Sequence, residues 1–144
     1  MKNKIIKLFL RLSLAAGFLS AVADRFGMWH YHVAWGSWNK FLLYTGTLNP
    51  WFPDVAISTL AVLSTIGEIV FALALIIGYK TKLFATLSGL LLLVFALSMT
   101  FSTGVKTALD ASVYAASAAA FALSLMPEQF LEIDTLLAKR RKSS

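Results

Sequence analysis

Residues 55–79 read VAISTLAVLSTIGEIVFALALIIGY, an apolar run that contains one charged residue, Glu68. A helix needs about 20 predominantly apolar residues to cross the hydrocarbon core of a bilayer, and this run is long enough. A charged group near the middle of such a span costs at least a few kcal/mol and normally faces a partner, a cavity or a ligand. The run therefore predicts a transmembrane helix, and Glu68 is its candidate functional residue.

Three further apolar runs of similar length lie at roughly 5–23, 83–102 and 108–126. The chain is 58% hydrophobic and 14% charged, whereas about 25% of the residues of a soluble domain are charged. We therefore predict an all-α integral membrane protein in which residues 1–144 form a single membrane domain. Its four transmembrane helices would pack as one bundle, followed by a basic cytoplasmic tail at 127–144.

The distribution of basic residues predicts the orientation of the bundle. Nine of the 13 Lys and Arg residues flank the spans on the side that holds both termini: Lys2, Lys4, Lys7, Lys80, Lys82, Lys139, Arg140, Arg141 and Lys142. The opposite side holds Arg25, Lys40 and Lys106. Because cytoplasmic loops carry the excess of Lys and Arg, both termini are predicted to be cytoplasmic, in a bacterial inner membrane. The net charge of +6 then reflects topology and contact with membrane lipids, so we predict no nucleic-acid partner.

A second charge, Arg11, lies inside the first apolar run. Uncharged cores are typical of cleaved signal peptides, so Arg11 favours a retained first transmembrane helix. At 1.5 Å per residue, Arg11 would lie roughly 9 Å and Glu68 roughly 16 Å from the cytoplasmic face, within reach of one another. We predict an ion pair between them. The pair would line a polar ligand cavity or only fix the register of two helices; in a third interpretation, Arg11 extends to the headgroups.

Small residues recur every four positions along the fourth run, at Ala108, Ser112, Ala116, Ala120 and Ser124. The first run repeats the pattern at Ser13, Gly17 and Ala21, and the third more briefly at Ala85 and Gly89. Small side chains allow the backbones of membrane helices to approach closely. These stripes predict close helix packing, within the bundle or in a homodimer or larger membrane complex.

The connection between the first two spans is rich in aromatic residues and holds all four tryptophans: Trp29, Trp35, Trp38 and Trp51. Helical spacing after Ser37 predicts a short interfacial helix that ends at Gly46, in the first extracytoplasmic loop. The aromatic residues are interpreted as a membrane-interface belt that covers the bundle, or as a pocket for a planar ligand such as a quinone headgroup. For the second interpretation, Trp29 and Trp38 are candidate ligand-binding residues.

His30 and His32 lie in the same connection and are also candidate ligand-binding residues. Their spacing would place them on one face of an extended segment, but the set needed for a metal site is incomplete and the chain has no cysteine. We predict no metal site, and the sequence leaves the catalytic residues and any enzymatic activity unassigned.

Three segments together resemble the DoxX family of small bacterial membrane proteins. They are Arg11-Leu12-Ser13-Leu14-Ala15-Ala16-Gly17-Phe18, then Glu68-Ile69 with the apolar end of the second run at 75–78, and finally Lys80-Thr81-Lys82. The resemblance covers roughly residues 5–126. It implies a fold of four membrane helices.

Some members of that family are subunits of a thiosulfate:quinone oxidoreductase, so the resemblance implies a membrane subunit of a quinone-linked oxidoreductase. Phe71 and Ala72 replace the glycines that the family often has, and the lack of cysteine weakens a direct role in sulfur chemistry. The alternative is a non-enzymatic membrane scaffold, chaperone, or lipid- or small-molecule-binding module. A quinone is the one cofactor that these expectations include.

Overall fold

The computed structural model describes the backbone of residues 1–142 and the side chains of residues 1–137. Within these residues the chain forms seven helices: α1 (Lys2–Arg25), α2 (Trp38–Leu48), α3 (Asp54–Ile77), α4 (Thr81–Thr103), α5 (Val105–Asp110), α6 (Val113–Leu125) and α7 (Ile133–Lys142). The expectation of an all-helical fold is confirmed. The basic side chains of the predicted tail, 139–142, lie outside the described side chains.

Three helices, α1, α3 and α4, are each long and apolar enough to cross a membrane. Their ends lie within three residues of the predicted spans 5–23, 55–79 and 83–102. Large apolar side chains on their outward faces are exposed: Phe9, Ile66, Leu73, Leu90, Val94 and Phe101 are among them. Exposed apolar surface on this scale marks contact with a membrane or a partner protein.

The region predicted as a fourth continuous span, 108–126, instead forms two helices, α5 and α6. The break lies at Ser112, which adopts a left-handed conformation with φ of 56°. The Ser112 amide donates to the Leu109 carbonyl at 2.9 Å, so this backbone group remains paired at the break. At 1.5 Å per residue, α6 is about 20 Å long, shorter than the hydrocarbon core.

The helices α1, α3, α4 and α6 form a closed ring of contacts. Their shared core contains buried residues from each of them, including Phe18, Leu75, Ala85 and Leu123. Hydrogen bonds from α1 to α3 pair Arg11 with residues 75–76 and Arg25 with Thr65 and Glu68, so α1 and α3 are antiparallel. One end of the bundle therefore carries the start of α1, the turn between α3 and α4, and the segment 127–132.

The small-residue stripes divide into packed and outward-facing sets. In α6, Ala120 and Ser124 are buried, whereas Ser112, at the break before this helix, is exposed. On α4, Gly89 allows α6 to approach so closely that an added Cβ would lie 2.9 Å from the Phe121 ring. Ser13 and Gly17, by contrast, face outward from α1.

The predicted short helix in the aromatic connection is present as α2. Ser37 caps its start, accepting from the Lys40 amide at 3.4 Å, and the helix ends at Leu48 rather than at Gly46. It buries Phe41, Thr45 and Leu48 and packs against α3 and α4. These contacts place α2 at the end of the bundle where α1 finishes, opposite to the end that holds Lys2. There it covers the last turn of α1.

Candidate functional site

A buried ion pair joins the end of α1 to the middle of α3. The Arg25 Nη2 atom donates to Glu68 Oε1 at 2.8 Å, and Arg25 Nη1 donates to the Thr65 hydroxyl at 2.7 Å. Both charged side chains are at most 3% exposed. Thr65 lies one turn from Glu68, so one face of α3 presents both groups to the same guanidinium.

Two aromatic rings cover the guanidinium of Arg25. Its Cζ atom lies 3.9 Å from the centroid of the Phe41 ring and 5.4 Å from that of Trp35. These two rings also contact each other edge to face, with centroids 5.1 Å apart. Arginine over an aromatic face gains a cation–π interaction, which strengthens when water is excluded. The aromatic connection therefore covers a charge, and we call Arg25, Glu68, Thr65, Phe41 and Trp35 the Arg25–Glu68 centre.

Two polar atoms of the Arg25–Glu68 centre are unpaired. Glu68 Oε2 and Arg25 Nε are buried and have no hydrogen-bond partner among the described residues. A buried polar atom without a partner costs about 1–3 kcal/mol and more when charged. The centre thus contains a donor and an acceptor that are enclosed beside aromatic rings and left unpaired by the described residues.

Asp24 fixes the loop that covers this centre. Its carboxylate accepts from the backbone amides of Ala34 at 2.9 Å, Trp35 at 3.0 Å and Gly36 at 3.3 Å. Since Asp24 precedes Arg25 in α1, the same turn of helix positions both the loop and the ion pair. A cavity of about 530 Å³ lies beside it, lined by Gly17, Ser20, Ala21, Asp24, Trp29, Tyr31, His32, Ala34 and Trp35.

The predicted pair between Arg11 and Glu68 is wrong, because Glu68 binds Arg25. Arg11 lies beside the last turn of α3, where its Nε atom donates to the Leu75 carbonyl at 2.8 Å. Its Nη2 atom donates to the Ile76 carbonyl at 2.9 Å. Carbonyls in the last turn of a helix have no partner within the helix and carry partial negative charge, so they attract a guanidinium.

Arg11 also binds the segment 127–132 that follows α6. Its guanidinium donates to the carbonyls of Phe130 at 2.9 Å and Leu131 at 3.2 Å, and its side chain is 0% exposed. Glu132 contributes a carboxylate 3.7 Å from Arg11 and 2.8 Å from the Lys7 ammonium. We call these contacts the Arg11 clamp, since they fix the chain after α6 against α1 and α3.

Further polar contacts extend the Arg11 clamp to the start of the chain. Asn3 donates to the Glu128 carboxylate at 2.8 Å, and Lys7 donates to the Glu128 carbonyl. Hydrogen bonds from its own backbone amide and from the Asn3 side chain lower the pKa of Glu128. The clamp is thus a polar network at the opposite end of α1 from the Arg25–Glu68 centre.

The other predicted binding residues lie in or near the aromatic connection. Trp29 and His32 line the 530 Å³ cavity, and the Trp29 indole donates to the Ser20 carbonyl at 3.1 Å. Trp38 stacks on Phe26 with ring centroids 5.8 Å apart. His30 is exposed, with its ring 6.4 Å from that of its neighbour in sequence, Tyr31. Of the predicted set, Glu68 belongs to the centre, and the Trp38 ring contacts it through Phe41, with centroids 5.6 Å apart. Trp29 and His32 line the adjacent cavity, and Arg11 is remote from the centre.

The sequence interpretation placed Arg25 outside the membrane and missed its role. A helical signal for it was present, because the residues at 11, 14, 18, 22 and 25 are spaced by three or four and are all buried on one face of α1. The same spacing on α3, at 57, 61, 65 and 68, places Thr65 with Glu68. If these two buried faces are packed against each other, Arg25 on α1 becomes a candidate partner for Glu68 on α3.

Comparisons with protein-family models, curated proteins and solved structures give no match for this chain.

Proposed function

We propose that this chain is a DoxX-like integral protein of the bacterial inner membrane that binds the polar head of a lipophilic molecule at the Arg25–Glu68 centre. A quinone is the proposed ligand class, and a membrane subunit of a quinone-linked oxidoreductase is the proposed role. The unpaired Glu68 Oε2 atom carries this proposal. An ionisable residue inside a membrane protein marks a functional site by default, and here one of its oxygens is not used by the fold.

The chemistry of the centre suits a quinone headgroup. A quinone is planar and carries two carbonyl oxygens that accept hydrogen bonds, which matches the aromatic rings of Trp35 and Phe41 and the Nε–H of Arg25. The reduced quinol carries hydroxyl groups, and Glu68 Oε2 is an acceptor for one of them. Pockets for such ligands are mostly apolar with a few placed polar groups. The 530 Å³ cavity, which shares Trp35 with the centre, is the space proposed for the ligand.

Mild detergent extraction followed by native mass spectrometry tests this ligand class. The parent protein should carry a bound molecule of quinone mass, released with the ultraviolet spectrum of a quinone. Glu68→Gln, which keeps an acceptor for Arg25, should lose most of that bound mass, whereas Lys40→Gln, an exposed charge on α2, should retain it. A parent protein that carries phospholipid but no quinone would contradict the quinone assignment.

The proposed topology has both termini in the cytoplasm, with α5 and α6 together completing a fourth crossing of the bundle. The described lysines at 2, 4, 7, 80 and 82 all lie at the end that holds Met1 and the turn after α3. Positively charged ends of membrane bundles face the cytoplasm.

Reporter fusions test this orientation. A reporter joined after Ser144 should be active in the cytoplasm, and one inserted beside Trp38 should be active on the opposite side of the membrane. Reporters in the same compartment, or a cytoplasmic reporter at Trp38, would contradict the proposed topology.

One observation favours the alternative role of a membrane scaffold or chaperone that acts through helix contacts. Ser13 and Gly17 are exposed on α1, and no heavy atom lies within 4 Å of a Cβ built on Gly17. Such a face leaves room for a closely packed helix of a second copy or of a partner. Native mass spectrometry of the same extract distinguishes the two roles. A scaffold or chaperone that acts through helix contacts requires a dimer or a larger complex, whereas quinone binding requires a bound molecule of quinone mass.

A further inference from the structure

A second cavity lies at the lysine-bearing end of the bundle. It has a volume of about 660 Å³ and lies between the first turn of α4, the end of α6 and the chain that follows α6. Its charged and hydroxyl-bearing walls include Lys7, Lys80, Thr81, Lys82, Glu132 and Asp134. We call this cavity the lysine groove. It is separate from the Arg25–Glu68 centre, with which it shares no residue.

The three lysines of the lysine groove differ in whether they form an ion pair within the protein. Lys7 is paired with Glu132 at 2.8 Å, so its charge is already balanced. Lys80 and Lys82 are exposed, and neither forms an ion pair with a described residue. The Lys80 ammonium lies 5.5 Å from the centroid of the Tyr79 ring, a contact that supplies no counter-ion, so both ammonium groups can pair with an anion.

Thr81 supplies a buried hydroxyl that the fold does not use. The residue is 3% exposed and lines the lysine groove, and its Oγ1 atom has no hydrogen-bond partner among the described residues. Its backbone amide lies 3.4 Å from the Asp134 carboxylate, a long contact. An acceptor bound in the groove would pair this hydroxyl.

The groove also lies at the start of α4, which has no capping side chain and no acidic residue in its first turn. The first amides of a helix have no partner within it and carry partial positive charge, which stabilises a bound phosphate. Asp134 is the one carboxylate that reaches this turn in the described part of the chain, and it makes only the long contact with Thr81.

Apolar side chains at the rim indicate the source of the anion. Leu83 and Leu125 line the groove and are 48% and 79% exposed. A soluble phosphate would leave these side chains uncovered, whereas the acyl chains of a lipid would cover them. We propose that the lysine groove binds the phosphate group of an anionic membrane lipid, held by Lys80, Lys82, the Thr81 hydroxyl and the first turn of α4. The proposal relies on the membrane location proposed above and is independent of the quinone.

Thermal melting of the full chain in detergent, with added phosphatidylglycerol, tests this site. We expect saturable stabilisation by phosphatidylglycerol and little by phosphatidylcholine or inorganic phosphate. Lys80→Gln and Lys82→Gln should each weaken the apparent affinity about fivefold, since a basic residue near an anionic lipid surface contributes about 1 kcal/mol. Thr81→Val should also weaken it, and Asp134→Asn should strengthen it because the competing charge is removed.

Lys4→Gln is the matched control, since Lys4 lies at the same end of the bundle but does not line the groove. It should bind phosphatidylglycerol as the parent does. Equal stabilisation by phosphatidylcholine, equal stabilisation by inorganic phosphate, or equal weakening in Lys4→Gln and Lys82→Gln would each overturn the proposal. Loss of the lipid effect with quinone binding retained would overturn this proposal alone.

Discussion

Arg25→Met should lower the free energy of unfolding by about 3–5 kcal/mol, because it leaves the Glu68 carboxyl in a buried place without its partner. Glu68→Leu should have a similar effect, since among the described residues it leaves the Arg25 guanidinium with Thr65 as its one hydrogen-bond acceptor. The double variant removes both charges and should recover much of the loss. Thermal or chemical unfolding of the three variants in one detergent gives the coupling between the residues.

The exposed pair of Lys106 and Asp110 is the control for this cycle. Its side chains are 85% and 64% exposed, and exposed pairs contribute at most about 1 kcal/mol. Lys106→Met and Asp110→Leu should therefore change stability little, and they should show little coupling. Additive losses in the Arg25 and Glu68 cycle, with no recovery in the double variant, would show that these two residues are not partners.

Arg11→Met should also cost about 3–5 kcal/mol, because it removes a buried charge and leaves the Glu132 carboxylate with Lys7 as its one cationic partner in the described part of the chain. It also removes four hydrogen bonds to backbone carbonyls. Two of these hold the segment 127–132, so that segment should become sensitive to protease before the rest of the chain unfolds. Arg11→Lys should not restore the parent, because an ammonium lacks the planar set of donors that reaches several carbonyls.

Gly78→Ala tests the same clamp without changing a charge. Gly78 has a φ of 70°, and an added Cβ would lie 2.6 Å from Arg11 Nη2 and 2.7 Å from the Glu132 Cα. Overpacking of this kind costs about 1–3 kcal/mol, and a left-handed alanine adds about 1 kcal/mol. The protease-sensitive segment should be the same as in Arg11→Met. Lys4→Met is the control, and cleavage of all variants at the parent's rate would contradict the clamp.

The long helices were predictable because their signal is local. An uninterrupted apolar run predicts a helix long enough to cross a membrane, and left-handed Gly78 ends α3 directly after Ile77. The break at Ser112 was not predictable in this way, because the run at 108–126 contains neither glycine nor proline and its apolar pattern continues through the break. Only the packing of α5 and α6 against their neighbours distinguishes two short helices from one.

The partners of the buried charges were harder to predict, because they depend on how far one helix slides along another. The depth estimate placed Arg11 about 7 Å from Glu68 along the membrane normal. In the structure Arg11 is level with Leu75, seven residues or about 10 Å from Glu68, and the free carbonyls of α3 are nearer. The segment 127–132, which completes the Arg11 clamp, carries no periodic signal that would show it folding back onto α1.

Part of the candidate site was predictable from the sequence, and the pairing of its charges was not, because that pairing depends on how the helices are aligned. Glu68 and the aromatic connection were identified from composition alone, since a charge in an apolar run and a cluster of tryptophans are both unusual. Arg25 was assigned to the membrane surface because it follows the apolar run, although the buried stripe of α1 extends to it. Its placement depends on α2 and Trp35, which cover the end of α1 and which a linear estimate of depth does not include.

Binding of a quinone at the Arg25–Glu68 centre is the central claim, and fluorescence titration measures it most directly. Purified protein in detergent would be titrated under anaerobic conditions with a short-chain quinol, whose hydroxyl can donate to Glu68 Oε2, and quenching of tryptophan emission would be followed in the parent, Glu68→Gln and Lys40→Gln. We expect saturable quenching in the parent and in Lys40→Gln, with a Kd weaker by about tenfold or more in Glu68→Gln, the effect of one lost hydrogen bond to a charged group. An equal Kd in the parent and Glu68→Gln, or no saturable quenching in the parent, would contradict the claim.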